Sequence, residues 1–221
     1  MSLTRFLPLQ IVGLLVLAVP LMGQGIQTQL GVAGGATVPI GEYHSGTLGG
    51  FKPGSLVMGL ATFRPGAVPV RLRVDVSYGV NDANNQFRAI YQSATGRPVD
   101  AKSKLLGVNV DVTYPFPSRS HLRPYVLGGL GSYHATISMT EGTPGLLASA
   151  DSFETTLAWN LGAGVVLGSA VAAVFLEARY MHVDGGLGYS CPLRTSCPRR
   201  AGPAPTFLPI IVGLQVGGGS R

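Results

Sequence analysis

The strongest constraint on the fold of this chain is a strict alternation between Val70 and Val80. One parity of this segment is apolar, with Val70, Leu72, Val74, Val76, Tyr78 and Val80. The residues between them are charged or small: Arg71, Arg73, Asp75, Ser77 and Gly79. A period of two places these sets on opposite faces of one extended strand. Such a strand separates an apolar medium from a polar one.

The N-terminal 25 residues have the organisation of a secretory signal peptide. A basic start that includes Arg5 is followed by an apolar run over 11–19 and by small residues at Gly23 and Gly25. This run is shorter than the about 20 residues that a membrane-spanning helix needs. We therefore predict that residues 1–25 direct export and are removed.

The remaining residues, 26–221, have the length of one domain and an unusual composition. The whole chain is 46% hydrophobic and only 12% charged, whereas soluble domains carry roughly 25% charged residues. Its basic residues are scattered rather than clustered on one element, which argues against a nucleic-acid partner. The composition favours a β-structure that lies partly in lipid.

Eight segments show strand patterns, and the connections between them are alternately short and long. The predicted strands are 28–39, 54–64, 69–80, 104–115, 124–137, 154–167, 172–183 and 206–217. The four long, Gly-, Ser-, Asn- and Pro-rich connections are 40–53, 81–103, 138–153 and 184–205. This rhythm predicts an all-β fold, an eight-stranded antiparallel up-and-down transmembrane barrel with short periplasmic turns and four longer extracellular loops.

Amphipathic aromatic residues indicate which face meets lipid. Six of them are assigned to the outward parity: Tyr78, Tyr133, Trp159 and Tyr180 near the long loops, and Tyr114 and Tyr125 near the short turns. Two aromatic girdles around an aliphatic band are typical of a membrane-spanning barrel. A soluble, secreted barrel would alternate with its faces exchanged, and it remains the third alternative.

Charged residues on the other parity are predicted to meet inside the barrel. They are Arg71, Arg73, Asp75, Asp111, Glu177 and Arg179. An eight-stranded barrel leaves just enough room for side chains, and buried charges persist only when they are paired. We predict a salt-bridge plug that closes the lumen. A narrow gated pore, in which Arg73 and Arg179 exchange carboxylate partners, is an open alternative.

No catalytic constellation is evident, and the prediction is a protein without enzymatic activity, cofactor or metal. The four histidines are His44, His121, His134 and His182, and each has a loop, turn or lumen role in this interpretation, with His134 facing inward. A lipid-modifying or hydrophobic-ligand-handling barrel remains the alternative. The mixed parity of the first, second and fifth strands would support it, with Val126 and Leu130 facing inward.

The long loops hold the remaining candidate features. Cys191 and Cys197 are close in sequence, and in an exported protein they are expected to form a disulfide. The cations of the 184–205 loop are expected to contact anionic lipid head groups or a partner surface. The segment 86–92 is expected to extend its hairpin beyond the membrane and to offer a strand edge.

These features together resemble a known family. The glycine-rich segments Tyr125-Val-Leu-Gly-Gly-Leu-Gly131 and Trp159-Asn-Leu-Gly-Ala-Gly164, the loop rhythm and the signal peptide resemble the small bacterial outer-membrane β-barrel domain family (OmpA/OmpX-like). The resemblance implies a location in the bacterial outer membrane, contact with outer-membrane lipids and insertion by the outer-membrane assembly machinery.

The resemblance does not select a role, because this fold carries diverse functions. The predicted role is a non-enzymatic one in envelope structure or surface interaction, carried out by a monomer. Lipopolysaccharide or a surface partner are the candidate ligands of the long loops.

Overall fold

The computed structural model describes residues 27–45, 50–65, 68–118, 121–143, 146–169, 171–184, 188–189, 200–201 and 204–217. The predicted signal peptide, residues 1–25, lies outside the described residues. So do Cys191 and Cys197, and their disulfide stays a prediction.

Eight strands form one closed barrel in which every pairing is antiparallel. The barrel strands are β1 (Gln27–Pro39), β2 (Gly54–Arg64), β3 (Arg71–Asp82), β4 (Val99–Pro115), β5 (Leu122–Thr143), β6 (Leu146–Gly168), β7 (Ala172–Val183) and β10 (Thr206–Gly217). Each strand pairs with its neighbour in sequence, and β1 pairs with β10 to close the ring. The predicted up-and-down barrel is confirmed.

The alternation that opened the sequence analysis builds the wall of this barrel. On β3 the side chains of Arg73, Asp75 and Ser77 are buried inside, whereas Leu72 and Val76 are exposed on the outer surface. Closure of the ring lets every strand find a backbone partner on both sides, which is the requirement for a β-structure in lipid. The wall therefore presents an aliphatic outer face and a polar inner one.

Strands β4, β5 and β6 are longer than the sequence patterns predicted. The region 138–153, expected to be a loop, is mostly a continuation of the β5–β6 hairpin, whose register runs on to Thr143 and Leu146. Its Ser, Thr and Gly content resembles that of a loop, but the adjacent strand supplies backbone partners for the whole length. Strands of 22 and 23 residues exceed the about 9–11 that cross a bilayer. This hairpin is therefore longer than a bilayer crossing requires.

Two helices lie in the long connections, α1 (Glu42–Ser45) and α2 (Asn85–Thr95). The expectation that residues 86–92 extend a hairpin is wrong, because they form α2. The Asn84 side chain caps this helix by accepting a hydrogen bond of 2.8 Å from Phe87 N, and Gly96 ends it with a left-handed φ of 71°. Asparagine caps and left-handed glycines are strong helix boundaries.

The last long connection contains the short strands β8 (Gly188–Tyr189) and β9 (Arg200–Ala201), which pair with each other. Among the helices of the described chain, none has the length and apolar character to cross a membrane.

Candidate functional site: the barrel lumen

An ion pair crosses the middle of the lumen. Strands β3 and β7 are four strand positions apart in either direction around the ring, so they face each other. From these walls Arg73 Nη1 donates a hydrogen bond of 2.7 Å to Glu177 Oε2. Both side chains are almost completely buried. The pair therefore ties opposite sides of the barrel together.

A second arginine, Arg179, is at the centre of the charged cluster. Its guanidinium contacts Asp75 at 2.9 Å, Asp111 at 3.1 Å and Glu177 at 2.5 Å. Arg179 itself is 2% exposed. Two guanidinium groups and three carboxylates thus share one buried site, which we call the lumen charge cluster: Arg73, Asp75, Asp111, Glu177 and Arg179.

Neutral side chains complete the hydrogen bonding of the three carboxylates. Asn109 Nδ2 donates to Asp75 Oδ1 at 2.9 Å, and Asn160 Nδ2 donates to Asp111 Oδ1 at 2.8 Å. The hydroxyl of Tyr125 donates to Glu177 Oε2 at 2.5 Å. Buried carboxylates retain their charge when each has such additional donors. The arrangement is therefore a polar layer that fills the cross-section of the lumen.

Arg71 does not join this cluster, although the sequence analysis grouped it there. It lies at the start of β3, near the short turns, where it lines a cavity together with Arg64 and Arg123. The structure therefore brings together five of the six predicted lumen charges and leaves the sixth at the barrel mouth.

Tyr125 and Tyr133 face the lumen, so their assignment to the outer girdle is wrong. They are only 5% and 2% exposed, and the Tyr133 hydroxyl accepts a hydrogen bond of 3.0 Å from Asn109 Nδ2. Both parities of β5 carry apolar residues, so alternation alone does not orient this strand. The phenol groups face inward because the charged cluster there supplies hydrogen-bond partners.

Because the inner and outer faces of β5 are exchanged relative to the prediction, three other assignments are also wrong. Val126 and Leu130, expected inside, are 41% and 70% exposed on the outer surface. His134, also expected inside, is exposed, and its Nδ1 is 2.9 Å from Thr155 Oγ1. Val126 and Leu130, which were expected to support a ligand-handling interior, are therefore on the outer face.

The other four predicted girdle residues are on the outer surface. They are Tyr78, Tyr114, Trp159 and Tyr180, each between 37% and 42% exposed. Trp159 packs against Tyr180 with ring centroids 5.3 Å apart, and Tyr114 packs edge-on against Phe116 at 5.5 Å. Their position matches the two ends of the aliphatic band, and their role as membrane anchors stays a prediction.

Apolar residues close the lumen on the long-loop side of the charge cluster. Tyr43 of α1, Phe51 and Phe87 of α2 are almost fully buried, with consecutive ring centroids 5.0 and 5.8 Å apart. The Tyr43 hydroxyl is 2.6 Å from Ser103 Oγ, and burial raises its pKa well above the usual range. Sequence reasoning missed this apolar layer, although the four-residue spacing of Phe87 and Tyr91 after a cap residue was a usable helix signal.

A second apolar cluster packs against the charge cluster and extends toward the short turns. Phe175 packs there beneath Arg73, whose guanidinium carbon is 5.5 Å from the ring centroid. Leu60, Leu127 and Ile211 belong to the same buried cluster. The lumen charge cluster is thus covered by apolar residues on its long-loop side, and a second apolar cluster packs against it at its own level, where Leu60 pairs with Asp75 and Ile211 with Glu177.

His182 has polar partners at both ring nitrogens on the outer side of the barrel. Its Nδ1 is 3.0 Å from Thr206 Oγ1, and its Nε2 is 3.7 Å from Asp184 Oδ1. The ring also packs against Trp159 at 5.8 Å. These contacts fix the orientation of the His182 ring beside the Trp159 indole, at the long-loop end of the aliphatic band. His44 and His121 lie in the connections at opposite ends of the barrel.

Comparison with known proteins agrees with this geometry. The family model described as "Outer membrane protein beta-barrel domain" matches residues 11–190. A major outer membrane protein from Thermus thermophilus superposes with a TM-score of 0.58 at 11% identity, covering 87% of this chain and 99% of that one. At that identity the likeness shows a shared fold.

Two further solved barrels are similar at lower scores. OprG from Pseudomonas aeruginosa has a TM-score of 0.48 and 14% identity, covering 86% of this chain and 93% of its own. Ail from Yersinia pestis has a TM-score of 0.41 and 13% identity, covering 89% of this chain and 100% of its own. No curated protein matches the sequence significantly.

Proposed function

Because the chain belongs to the outer membrane protein β-barrel domain family, we propose that it is a non-enzymatic barrel with a closed lumen, acting in envelope structure or surface interaction. Its location is the bacterial outer membrane, which the family indicates. On this proposal the protein works through its outer surfaces, as a monomer surrounded by outer-membrane lipids, and does not pass solutes through its interior.

The observation that carries the proposal is the filling of the lumen by the charge cluster and the apolar side chains around it. The lumen charge cluster bridges opposite walls, apolar residues cover it on the long-loop side, and a second apolar cluster packs against it. An ion moving along the axis would have to separate buried salt bridges and then pass through apolar side chains. Separating a buried pair costs several kcal/mol, of order 3–5. The packing therefore supports a plug.

The extracellular end supports a surface role. The β5–β6 hairpin projects beyond the length that a bilayer requires, and α2 covers the barrel mouth by inserting Phe87. These elements give a structured surface to which lipopolysaccharide or a protein partner can bind.

Single-channel recording in planar bilayers tests the closed lumen. We expect no discrete conductance from the wild-type protein or from Asp111→Ala, because the remaining charges and the apolar residues on the long-loop side still fill the lumen. An open porin, incorporated in the same way, is the positive control. The observation that favours the gated-pore alternative is that Arg179 contacts both Asp111 and Glu177. Discrete openings of the wild type, changed in frequency by Asp111→Ala, would overturn the proposal in favour of the gate.

A further inference from the structure

Three arginines line a cavity at the short-turn mouth of the barrel. They are Arg64 at the end of β2, Arg71 at the start of β3 and Arg123 at the start of β5, with Thr62 and Gln29 beside them. The cavity has a volume of about 40 Å³. A second cavity of about 30 Å³ continues it inward and shares Thr62, Arg71 and Arg123. Each volume exceeds the about 10–15 Å³ that one water-sized group needs.

The positive charge of this mouth is not neutralised within the described part of the chain. No described carboxylate forms an ion pair with Arg64, Arg71 or Arg123. Arg123 donates to the carbonyl oxygens of Gly168 and Ser169, at 3.3 and 3.5 Å. Arg73 reaches the inner cavity as well, but its charge is paired with Glu177. Among the described residues, the mouth therefore carries an excess of three cations.

Two residues that line the inner cavity, Arg71 and Thr113, also have a buried polar atom without a partner in the described chain. The atoms are Arg71 Nε and Thr113 Oγ1, and neither is accessible to solvent. An unsatisfied buried donor costs about 1–3 kcal/mol, and more when it is charged. Neighbouring strands supply these groups, since Arg71 and Thr113 are register partners on β3 and β4. Cations thus converge on one space whose described lining contains no carboxylate.

We propose that this mouth is a binding site for a phosphate group. Guanidinium groups form paired, charge-assisted hydrogen bonds with phosphate oxygens. A tetrahedral oxyanion offers acceptors in several directions, which suits three arginines that come from three different strands. A carboxylate has only two oxygens in one plane and would satisfy fewer of these donors. The short-turn mouth faces the periplasm, so free phosphate and the phosphate of an inner-leaflet phospholipid head group are the two sources.

Phosphate-dependent stabilisation of the folded barrel tests the site. The full chain, folded in a neutral sugar detergent, is heated with increasing inorganic phosphate, with chloride maintaining the ionic strength. The midpoint of conversion from the folded to the unfolded gel band is recorded for each concentration. Binding to the folded state alone raises this midpoint with concentration. For each variant, the midpoint with phosphate is compared with the midpoint of the same variant without phosphate. Differences in basal stability between variants therefore do not affect the result.

The variants are Arg71→Gln and Arg123→Gln, with Arg88→Gln as the matched control. Arg88 is an arginine of α2 at the opposite end of the molecule and pairs with Asp100 on the surface. For Arg71→Gln and Arg123→Gln, we expect half-maximal stabilisation at a phosphate concentration at least about tenfold higher than for the wild type. This factor corresponds to the loss of one hydrogen bond to a charged group. The Arg88→Gln protein should respond as the wild type does. If either mouth variant fails to fold, Arg64→Gln at the exposed strand end replaces it.

Reconstitution into phosphatidylglycerol vesicles then distinguishes the two sources. If the head group fills the mouth, added inorganic phosphate should produce no further stabilisation; if free phosphate is the ligand, the stabilisation should persist. Either result is consistent with a phosphate site once the detergent arm is positive. Equal phosphate responses in Arg71→Gln, Arg123→Gln and Arg88→Gln, or no response of the wild type beyond chloride, would overturn the proposal. Neither result depends on whether the lumen conducts.

Discussion

Replacing Arg179 with methionine is expected to destabilise the folded barrel by about 3–5 kcal/mol. The substitution removes the cation that contacts Asp75, Asp111 and Glu177 and leaves three carboxylates around the single guanidinium of Arg73. Methionine keeps much of the side-chain volume, so the loss reports on charge more than on packing. Urea unfolding in detergent micelles, followed by the gel shift between folded and unfolded forms, measures the change.

A matched surface substitution separates this effect from a general loss of positive charge. Arg88 pairs with Asp100 at 3.0 Å, but both side chains are substantially exposed, and such pairs contribute about 0–1 kcal/mol. Arg88→Met should therefore have little effect. The double variant Arg179→Met with Asp111→Asn should lose less than the sum of the single losses, because it removes one of the carboxylates left without a cation. Equal effects of Arg179→Met and Arg88→Met would contradict the role given to the lumen charge cluster.

Replacing Gly129 with alanine is expected to destabilise the barrel by about 1–3 kcal/mol. A Cβ at this position would overlap with Asp111 Oδ1 and with the Val110 carbonyl oxygen. The added methyl therefore requires the strand or the Asp111 side chain to shift, and Asp111 is held by Arg179 and Asn160. The same unfolding assay measures the loss.

Gly59 is the control for this substitution. It lies on the outer face of β2, and a Cβ there would meet nothing within 4 Å. The variant Gly59→Ala should change stability by no more than about 0.5 kcal/mol. Comparable losses for Gly129→Ala and Gly59→Ala would show that the inward glycine does not serve to accommodate the charged cluster.

Strands with one polar and one apolar parity could be predicted and oriented from the sequence. On β3 and β7, charges alternate with aliphatic residues, so the pattern identifies both the strand and its inner face. Even the meeting of Arg73 with Glu177 across the lumen follows from the strand order, because the third and seventh of eight strands are opposite. The alternation of polar and apolar residues was therefore sufficient to predict the barrel and most of its lumen charge cluster.

The orientation of β5 could not be predicted in the same way. Tyr125 and Val126 are both apolar enough for either face, and the residues that decide between them belong to other strands. Tyr125 turns inward because it donates to Glu177, and Gly164 opposite leaves space for its ring. Similarly, Arg71 lies outside the lumen charge cluster because of its depth in the barrel. The pairing of β3 with its neighbouring strands determines this depth. These are tertiary effects that a single strand does not encode.

The whole arrangement depends on contact between the outer parity and lipid, and Trp159 can report on that contact directly. Trp159 is the only tryptophan in the chain, and it lies on the outer face beside Tyr180 near the long loops. The unmodified protein, reconstituted into vesicles of lipids brominated at different depths of the acyl chain, gives a depth profile of fluorescence quenching. We expect strong quenching, greatest for bromines close to the head group, and little quenching by aqueous acrylamide. Quenching by acrylamide without quenching by any brominated lipid would show that the outer face around Trp159 meets water and not lipid.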